Sequence, residues 1–239
     1  MSSNMHACTV QVVCFDVANV LVEIDIAHAI ARLGPHVDNR LAQKIQELGQ
    51  WEPYDAFERG RIRGAQFLCA LRAHLDIDLH HTELIAWWNS SLRNMVDGVE
   101  GMVSEIIGRI PIYALSNTNP MHFDYVMRHM PLFHRFDRVI ASFHVGYRKP
   151  EAPLFKAAAQ LIGQSPENIL FIDDMMTNVE GAKAVGIKLK SVIARAQDSV
   201  KFLYSTVCCS PSSRRTCAVT LLCGGRNIGK AHGISRGST

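Results

Sequence analysis

The spacing of apolar residues changes twice along the chain. From Val10 to Phe15, five of six positions are apolar (Val10, Val12, Val13, Cys14, Phe15) and several are β-branched. This predicts a short strand buried on both faces, as in a parallel sheet. Asp16 follows at once. From Ile24 to Met95 the period becomes helical. Ala27–Leu33 stops at Gly34-Pro35, and Arg40–Gly49 follows a candidate N-cap, Asp38, with Leu41, Ile45 and Leu48 on one face. Trp51-Glu52-Pro53 reads as a break, and Tyr54–Gly60 as a short polar and aromatic stretch. Ala65–Leu75 and Thr82–Met95 are again helical, the latter carrying Leu84, Ile85, Trp88, Leu92 and Met95 in register. No strand is predicted here, so the stretch reads as a helical insertion. Beyond it, strands and helices alternate: helix Val99–Arg109, strand Ile110–Leu115, helix Met121–His129, strand Arg138–Ala141, helix Glu151–Ile162, strand Asn168–Ile172, helix Thr177–Val185, and a weaker strand Ile187–Ile193. That alternation predicts βαβ units and an α/β fold with a parallel sheet. The expected organisation is a core from residues 8–22 and 97–204, a helical insertion over 23–96, and a disordered tail over 205–239.

Charge and cysteine placement sharpen this division. The formal charge is +3 over 239 residues. Five basic residues lie in the tail (Arg214, Arg215, Arg226, Lys230, Arg236), and without them the chain holds 20 basic and 22 acidic residues, a charge of −2. The folded part therefore gives no reason to expect nucleic-acid binding. Cys208, Cys209, Cys217 and Cys223 also lie in the tail, and no CxxC pair exists. Met1–Ala7 lacks the pattern of a signal peptide, and no uncharged apolar run approaches the ~18 residues that span a bilayer. A cytoplasmic protein with no membrane partner is expected. Gly224–Lys230 fits G-x-x-x-x-G-K, but Ala231 stands where Ser or Thr would bind magnesium and nine residues follow Lys230. A chance match is the reading adopted.

The chemistry lies at the strand ends. Asp16, Ser116-Asn117 and Asp173-Asp174 each end a predicted strand, and Lys149 precedes a helix. Each alone has a plain explanation as a turn, a helix cap or a surface charge. Together, on one edge of a parallel sheet, they make a set suited to phosphoryl transfer. A carboxylate nucleophile and a phosphate repel, so a divalent cation has to bridge them. Magnesium prefers one or two carboxylates plus phosphate oxygen and water. Asp16 and Asp174 can supply the carboxylates. Ser116 with nearby N–H groups can hold phosphate oxygens, and Lys149 can neutralise developing charge.

Four ordered segments carry a family resemblance: Phe15–Leu21, Leu115–Asn119, Arg148–Glu151, and Phe171–Asp174 continuing through Asn178–Ala182. They resemble the motifs of the haloacid dehalogenase (HAD) superfamily, over about residues 10–193. The insertion resembles that superfamily's C1 cap, on a Rossmann-like core. Phe15-Asp16-Val17-Ala18-Asn19-Val20 and Phe57–Ile62 resemble the sugar-phosphatase-like branch, including bacterial α-glucose-1-phosphate phosphatases. The resemblance implies a Mg2+-dependent phosphatase of small phosphate esters, sugar phosphates foremost. It implies Asp16 as nucleophile and metal ligand, the Ala18 carbonyl and Asp174 as further metal ligands, and Ser116 and Asn117 as phosphate-binding residues. Lys149 matches the lysine of the third motif. Asp173 and Asn178 would orient Lys149 or a metal-bound water.

One position departs from the superfamily. A second Asp usually stands two residues after the nucleophile and serves as general acid and base; here that residue is Ala18. Such help is typically worth ~10²–10⁴-fold. Two alternatives therefore accompany the phosphatase reading: a phosphate-binding or regulatory protein without turnover, and a metal-free 2-haloacid dehalogenase, against which Asp173-Asp174 speaks. In the insertion, Trp88 and the Leu/Ile stripe are expected to be core, and Arg59 and Arg63 to be solvated charges. Oligomeric state is not legible.

Overall fold

The computed structural model describes residues 10–34 and 37–191. The tail and its Gly224–Lys230 segment lie outside the described residues. Strand β1 (Val12–Phe15) alternates strictly between two cores. Val13 and Phe15 join one cluster, and Val12 and Cys14 join the other. That is what successive side chains of a central strand do when both faces are covered.

The chain then forms β2 (Val22–Ile24) and five helices: α1 (Ile26–Ala31), α2 (Asn39–Gln46), α3 (Glu52–Glu58), α4 (Gly64–Leu75) and α5 (His81–Asn89). It returns through β3 (Leu92–Met95). The expectation of no strand between Ile24 and Met95 fails here. β2 and β3 pair antiparallel, Val22 with Met95 and Ile24 with Leu92. Leu92 and Met95 extend the helical stripe by coincidence, whereas α5 ends at Asn89. Tyr54–Glu58 also belongs to a helix, because Pro53 sits in the first turn of α3, where its missing N–H costs nothing. Asp38 caps α2 as expected, accepting from the Leu41 N–H at 2.7 Å.

The remaining elements are α6 (Val99–Ile106), β4 (Ile112–Ser116), α7 (Pro120–His129), β5 (Arg138–Ala141), α8 (Ser142–Val145), α9 (Ala152–Ile162), β6 (Ile169–Asp173), α10 (Met176–Ala184) and β7 (Lys188–Ser191). The five-stranded sheet has the order β5-β4-β1-β6-β7, every pair parallel. Helices cover both faces. Met102 and Val103 of α6 and Val126 of α7 pack on one, and Leu154 and Phe155 of α9 with Ala182 of α10 on the other. This is the α/β Rossmann-like architecture. The insertion packs round its own cluster, which includes Phe57, Phe67, Leu71, Leu84, Trp87 and Trp88. Phe57 stacks on Phe67 with centroids 4.4 Å apart, and Trp88 meets Phe67 edge-on at 4.9 Å.

One contact between the insertion and the sheet's carboxyl edge is especially tight. Gly60 follows α3 with φ +67°, and a Cβ there would lie 2.4 Å from the Phe143 carbonyl oxygen. Beside it, Ser142 Oγ donates to the Glu58 carbonyl at 2.7 Å and accepts from the Thr118 N–H at 3.0 Å. Both left-handed backbone and close approach require glycine. Gly60→Ala is therefore expected to lower stability by about 1–3 kcal/mol. Urea denaturation checks this, and an unchanged midpoint contradicts it.

Candidate active site

The topology brings the predicted residues to one edge. Phe15 is in register with Ala114 of β4 and Ile172 of β6. Asp16, Ser116 and Asp173 therefore leave three adjacent strands together. Asp16 begins a tight loop in which the Leu21 and Val22 N–H groups both bond the Val17 carbonyl at 2.9 Å. Asn19 takes φ +57°, a conformation Asn tolerates better than most residues. Its Oδ1 accepts from the Ile24 N–H at 3.1 Å, and its side chain also bonds Asp174.

Lys149 lies between two carboxylates. Its Nζ is 2.6 Å from Asp16 Oδ1 and 2.8 Å from Asp173 Oδ2, with all three side chains almost wholly buried. Asp173 has no freedom left. Asn178 Nδ2 donates to both its oxygens at 2.9 and 3.1 Å, and the Met175 N–H donates at 2.8 Å. Asp173 and Asn178 thus position Lys149. Asn117 does so from the other side: its Oδ1 accepts from the Lys149 N–H at 2.7 Å, and its Nδ2 donates to the Lys149 carbonyl at 3.0 Å. The Asn117 side chain, expected to bind phosphate, is occupied with the lysine backbone. Gly181 of α10 lets that backbone pass, since a Cβ there would lie 2.3 Å from the Pro150 carbonyl oxygen.

The charges do not cancel. Asp16, Asp173 and Asp174 can bring one oxygen each within 4.8 Å of one another. Against them stands the Lys149 ammonium, leaving a formal charge of −2. Burial pushes the Asp16 carboxyl up to about 7, with Lys149 pulling it down and Asp173 pushing it further up. Burial and then Asp173 raise the half-buried Asp174. Lys149 is itself raised: burial alone would lower it, but Asp16 and Asp173 outweigh burial. Asp173 is spent on Lys149, so Asp16 and Asp174 are the carboxylates left for a cation. An all-oxygen site with excess negative charge fits a hard dication such as Mg2+.

A cavity of about 300 Å³ opens over this edge, with Ala18, Ser116, Asn117 and Thr118 in its floor and side chains of the insertion above. Among the described residues, Glu58 is the one carboxyl in its lining. Burial raises the Glu58 carboxyl, opposed by Arg148 and by the Tyr54 hydroxyl bonded to it. Arg148 Nε lies 2.8 Å from Glu58 Oε2, yet the alignment makes no hydrogen bond and both atoms stay unsatisfied. His122 also lines the cavity, but burial pushes it down to about 4 and its ring is stacked on Trp88. Its Nδ1 faces Asn119 Nδ2 at 3.3 Å and its Nε2 faces the Trp88 carbonyl at 3.1 Å.

Arg59 corrects an expectation. It is no solvated charge: Nε donates to Asp55 at 2.6 Å, and the guanidinium grips Glu151 with both terminal nitrogens, at 2.9 and 2.5 Å. Arg148 reciprocates with a 2.7 Å bond to Asp55. The segment that carries Lys149 thereby fastens the insertion. Sequence spacing links Asp55 to Arg59, four residues on, but pairs across 92 or 93 residues have no local signal. Arg63 is exposed, as expected.

The sandwich predicts a pH-dependent lesion. Asp16 is held above the 3.8 of an ordinary Asp. Its ionised form is therefore disfavoured by folding, and its contribution to stability falls as pH rises from about 4 through about 7. Removing the ammonium enlarges that penalty. Lys149→Met is expected to cost about 3–5 kcal/mol well above neutrality, where Asp16 is ionised. The cost should shrink near pH 5, where Asp16 can protonate. Urea melts of metal-free protein at both conditions check this, and a loss independent of pH contradicts it.

Comparison with known proteins identifies the family. A family model described as haloacid dehalogenase-like hydrolase matches residues 10–186. A drimenol cyclase of Aspergillus calidoustus is 26% identical over 169 residues, which take in 68% of this chain but only 31% of the cyclase. A sesquiterpene phosphatase of Aspergillus oryzae is 25% identical over 178 residues, 68% of this chain and 84% of the relative. A HAD family enzyme of Bacteroides thetaiotaomicron, solved in complex with magnesium and inorganic phosphate, superposes with a TM-score of 0.67 at 25% identity, covering 76% of this chain and 93% of that one. With three quarters of its length matched and the motif residues gathered at one sheet edge, the chain belongs to the haloacid dehalogenase-like hydrolases.

Proposed function

We propose that this protein is a Mg2+-dependent phosphatase of small phosphate monoesters, acting through a phosphorylated Asp16. The observation that carries the reading is the buried Lys149 held between Asp16 and Asp173, beside the carboxylate of Asp174. Asp16, Asp174 and the Ala18 carbonyl would hold the cation. When bound, the cation lowers the repulsion between carboxylate and phosphate. The Val17 N–H, at 2.6 Å, and Lys149 both bond Asp16 Oδ1, leaving Oδ2 to face phosphorus. The Oδ2–P bond forms as the P–O bond to the organic group breaks, and the alkoxide takes a proton. Water then attacks phosphorus, the Asp16–phosphate bond breaks, and inorganic phosphate leaves. Ser116, in the cavity floor, would hold a phosphate oxygen. Lys149 offsets charge on the phosphoryl oxygens. The magnesium and phosphate complex of the structural relative supports this reading.

Ala18 has no proton to give. We assign the exchange to Glu58, the one carboxyl in the cavity lining among the described residues, whose burial raises it above the usual carboxylate range. His122 has both ring nitrogens engaged and is unsuited to it.

Two measurements follow. Phosphate release from p-nitrophenyl phosphate should require Mg2+ and vanish in Asp16→Asn; turnover that persists in either case contradicts the assignment. Glu58→Gln should slow an alkyl phosphate, whose leaving group needs a proton, by about 10²-fold or more. It should slow p-nitrophenyl phosphate, whose leaving group does not, far less. Equal losses on both substrates contradict a proton-transfer role and leave Glu58 as a partner of Arg148.

A further inference from the structure

The cavity wall says more about the organic half of the substrate than the motifs do. Above the phosphate-facing floor, it is built from Ile24, Ala29, Ile45, Leu48, Trp87 and Leu92. Its polar groups are mostly spent on the protein. The Trp87 indole N–H donates to the Ala29 carbonyl at 2.7 Å, and Ser91 Oγ donates to the Trp88 carbonyl at 3.3 Å. His122 is engaged at both nitrogens, and the Tyr54 hydroxyl is bonded to Glu58. What remains is exposed Gln46 and two buried atoms without a hydrogen-bond partner among the described residues, the Trp88 indole N–H and Glu58 Oε2, the latter assigned above to proton transfer. A polyhydroxylated substrate presents many donors and acceptors, and each left unmatched in a closed pocket costs affinity. A wall of this kind instead gains from every methylene removed from water.

On the phosphatase reading above, we infer that the substrate is the monophosphate of an apolar alcohol, with an aliphatic or isoprenoid chain, rather than a sugar phosphate. The continuity of the apolar wall with the floor at Ala18, Ser116, Asn117 and Thr118 commits the space to the group attached to the phosphate. Ile26, exposed at 40% on the first turn of α1, extends the apolar lining to the mouth. So few unpartnered polar atoms in the lining suit a chain with few oxygenated positions.

The test is a substrate series on the full chain with Mg2+. It comprises n-butyl, n-hexyl and n-decyl phosphate, farnesyl phosphate, glucose 1-phosphate, ribitol 5-phosphate, and p-nitrophenyl phosphate as a general reporter. The expected result is a kcat/KM that rises at least about tenfold from butyl to decyl phosphate, carried mainly by KM. Ile26→Ser should lower the decyl-to-butyl ratio by about threefold. Sugar phosphates preferred, or rates indifferent to chain length, while p-nitrophenyl phosphate is hydrolysed, overturn the inference and leave the phosphatase reading standing. If no ester is hydrolysed, that reading fails instead. Binding of butyl- and decylphosphonate, read by tryptophan fluorescence, then decides the pocket. Tighter binding of the decyl compound upholds an apolar site, and equal binding overturns it.

Discussion

An ammonium buried between two carboxylates is the constraint on which the rest of the structure depends. Buried ion pairs are poor sources of stability, because desolvation cancels much of the attraction. Removing one partner is nevertheless costly, so the surroundings must hold all three groups in place. Three strands end at one edge to bring Asp16, Ser116 and Asp173 together. Asn178 and the Met175 N–H fix Asp173, Asn117 fixes the Lys149 backbone, and Gly181 lets α10 approach Pro150. Such fixed charge aimed at one point is what electrostatic catalysis needs, since no reorganisation is left for the reaction itself.

The same segment governs the insertion. Arg148 and Glu151 flank Lys149 and Pro150, and they reach Asp55 and Arg59 at the far side of the cavity. These pairs are only partly buried, and solvent-screened pairs are individually worth little, about 0–1 kcal/mol. Here they share two arginines with two carboxylates, and Gly60 packs on the Phe143 carbonyl beside them. The roof that carries Glu58 and the apolar wall is therefore referenced to the buried Lys149.

Much of this was legible in the sequence, for physical reasons that also mark where reading stopped. Strands such as Arg138–Ala141 and helices such as Gly64–Leu75 declare themselves through runs and periods of apolar residues. Asp16, Lys149 and Asp173 were identifiable because each stands at a strand end or loop of an α/β pattern. The ribbon of β2 and β3 was hidden because three or four residues carry no period, and Leu92 and Met95 fell on a helical stripe by chance. Pro53 looked like a break and proved to be a start. Arg59 was misread because its partner Glu151 is 92 residues away. Asn117 sits at the expected place, but only coordinates show its amide turned to the Lys149 backbone. The apolar character of the cavity was hidden for a related cause. Ile45, Leu48 and Leu92 fall on predicted helical stripes, and packing leaves a space beside them.

The central claim is that Asp16 becomes covalently phosphorylated. Acid-quenched single-turnover reactions with a phosphate monoester and Mg2+, followed by peptide mass spectrometry, test it most directly. The account predicts a transient phosphoryl group on the peptide containing Asp16, formed within one turnover and lost as inorganic phosphate appears. Phosphate release at the same rate with no phosphorylated peptide at any time, or with the phosphoryl group on another residue, would contradict it.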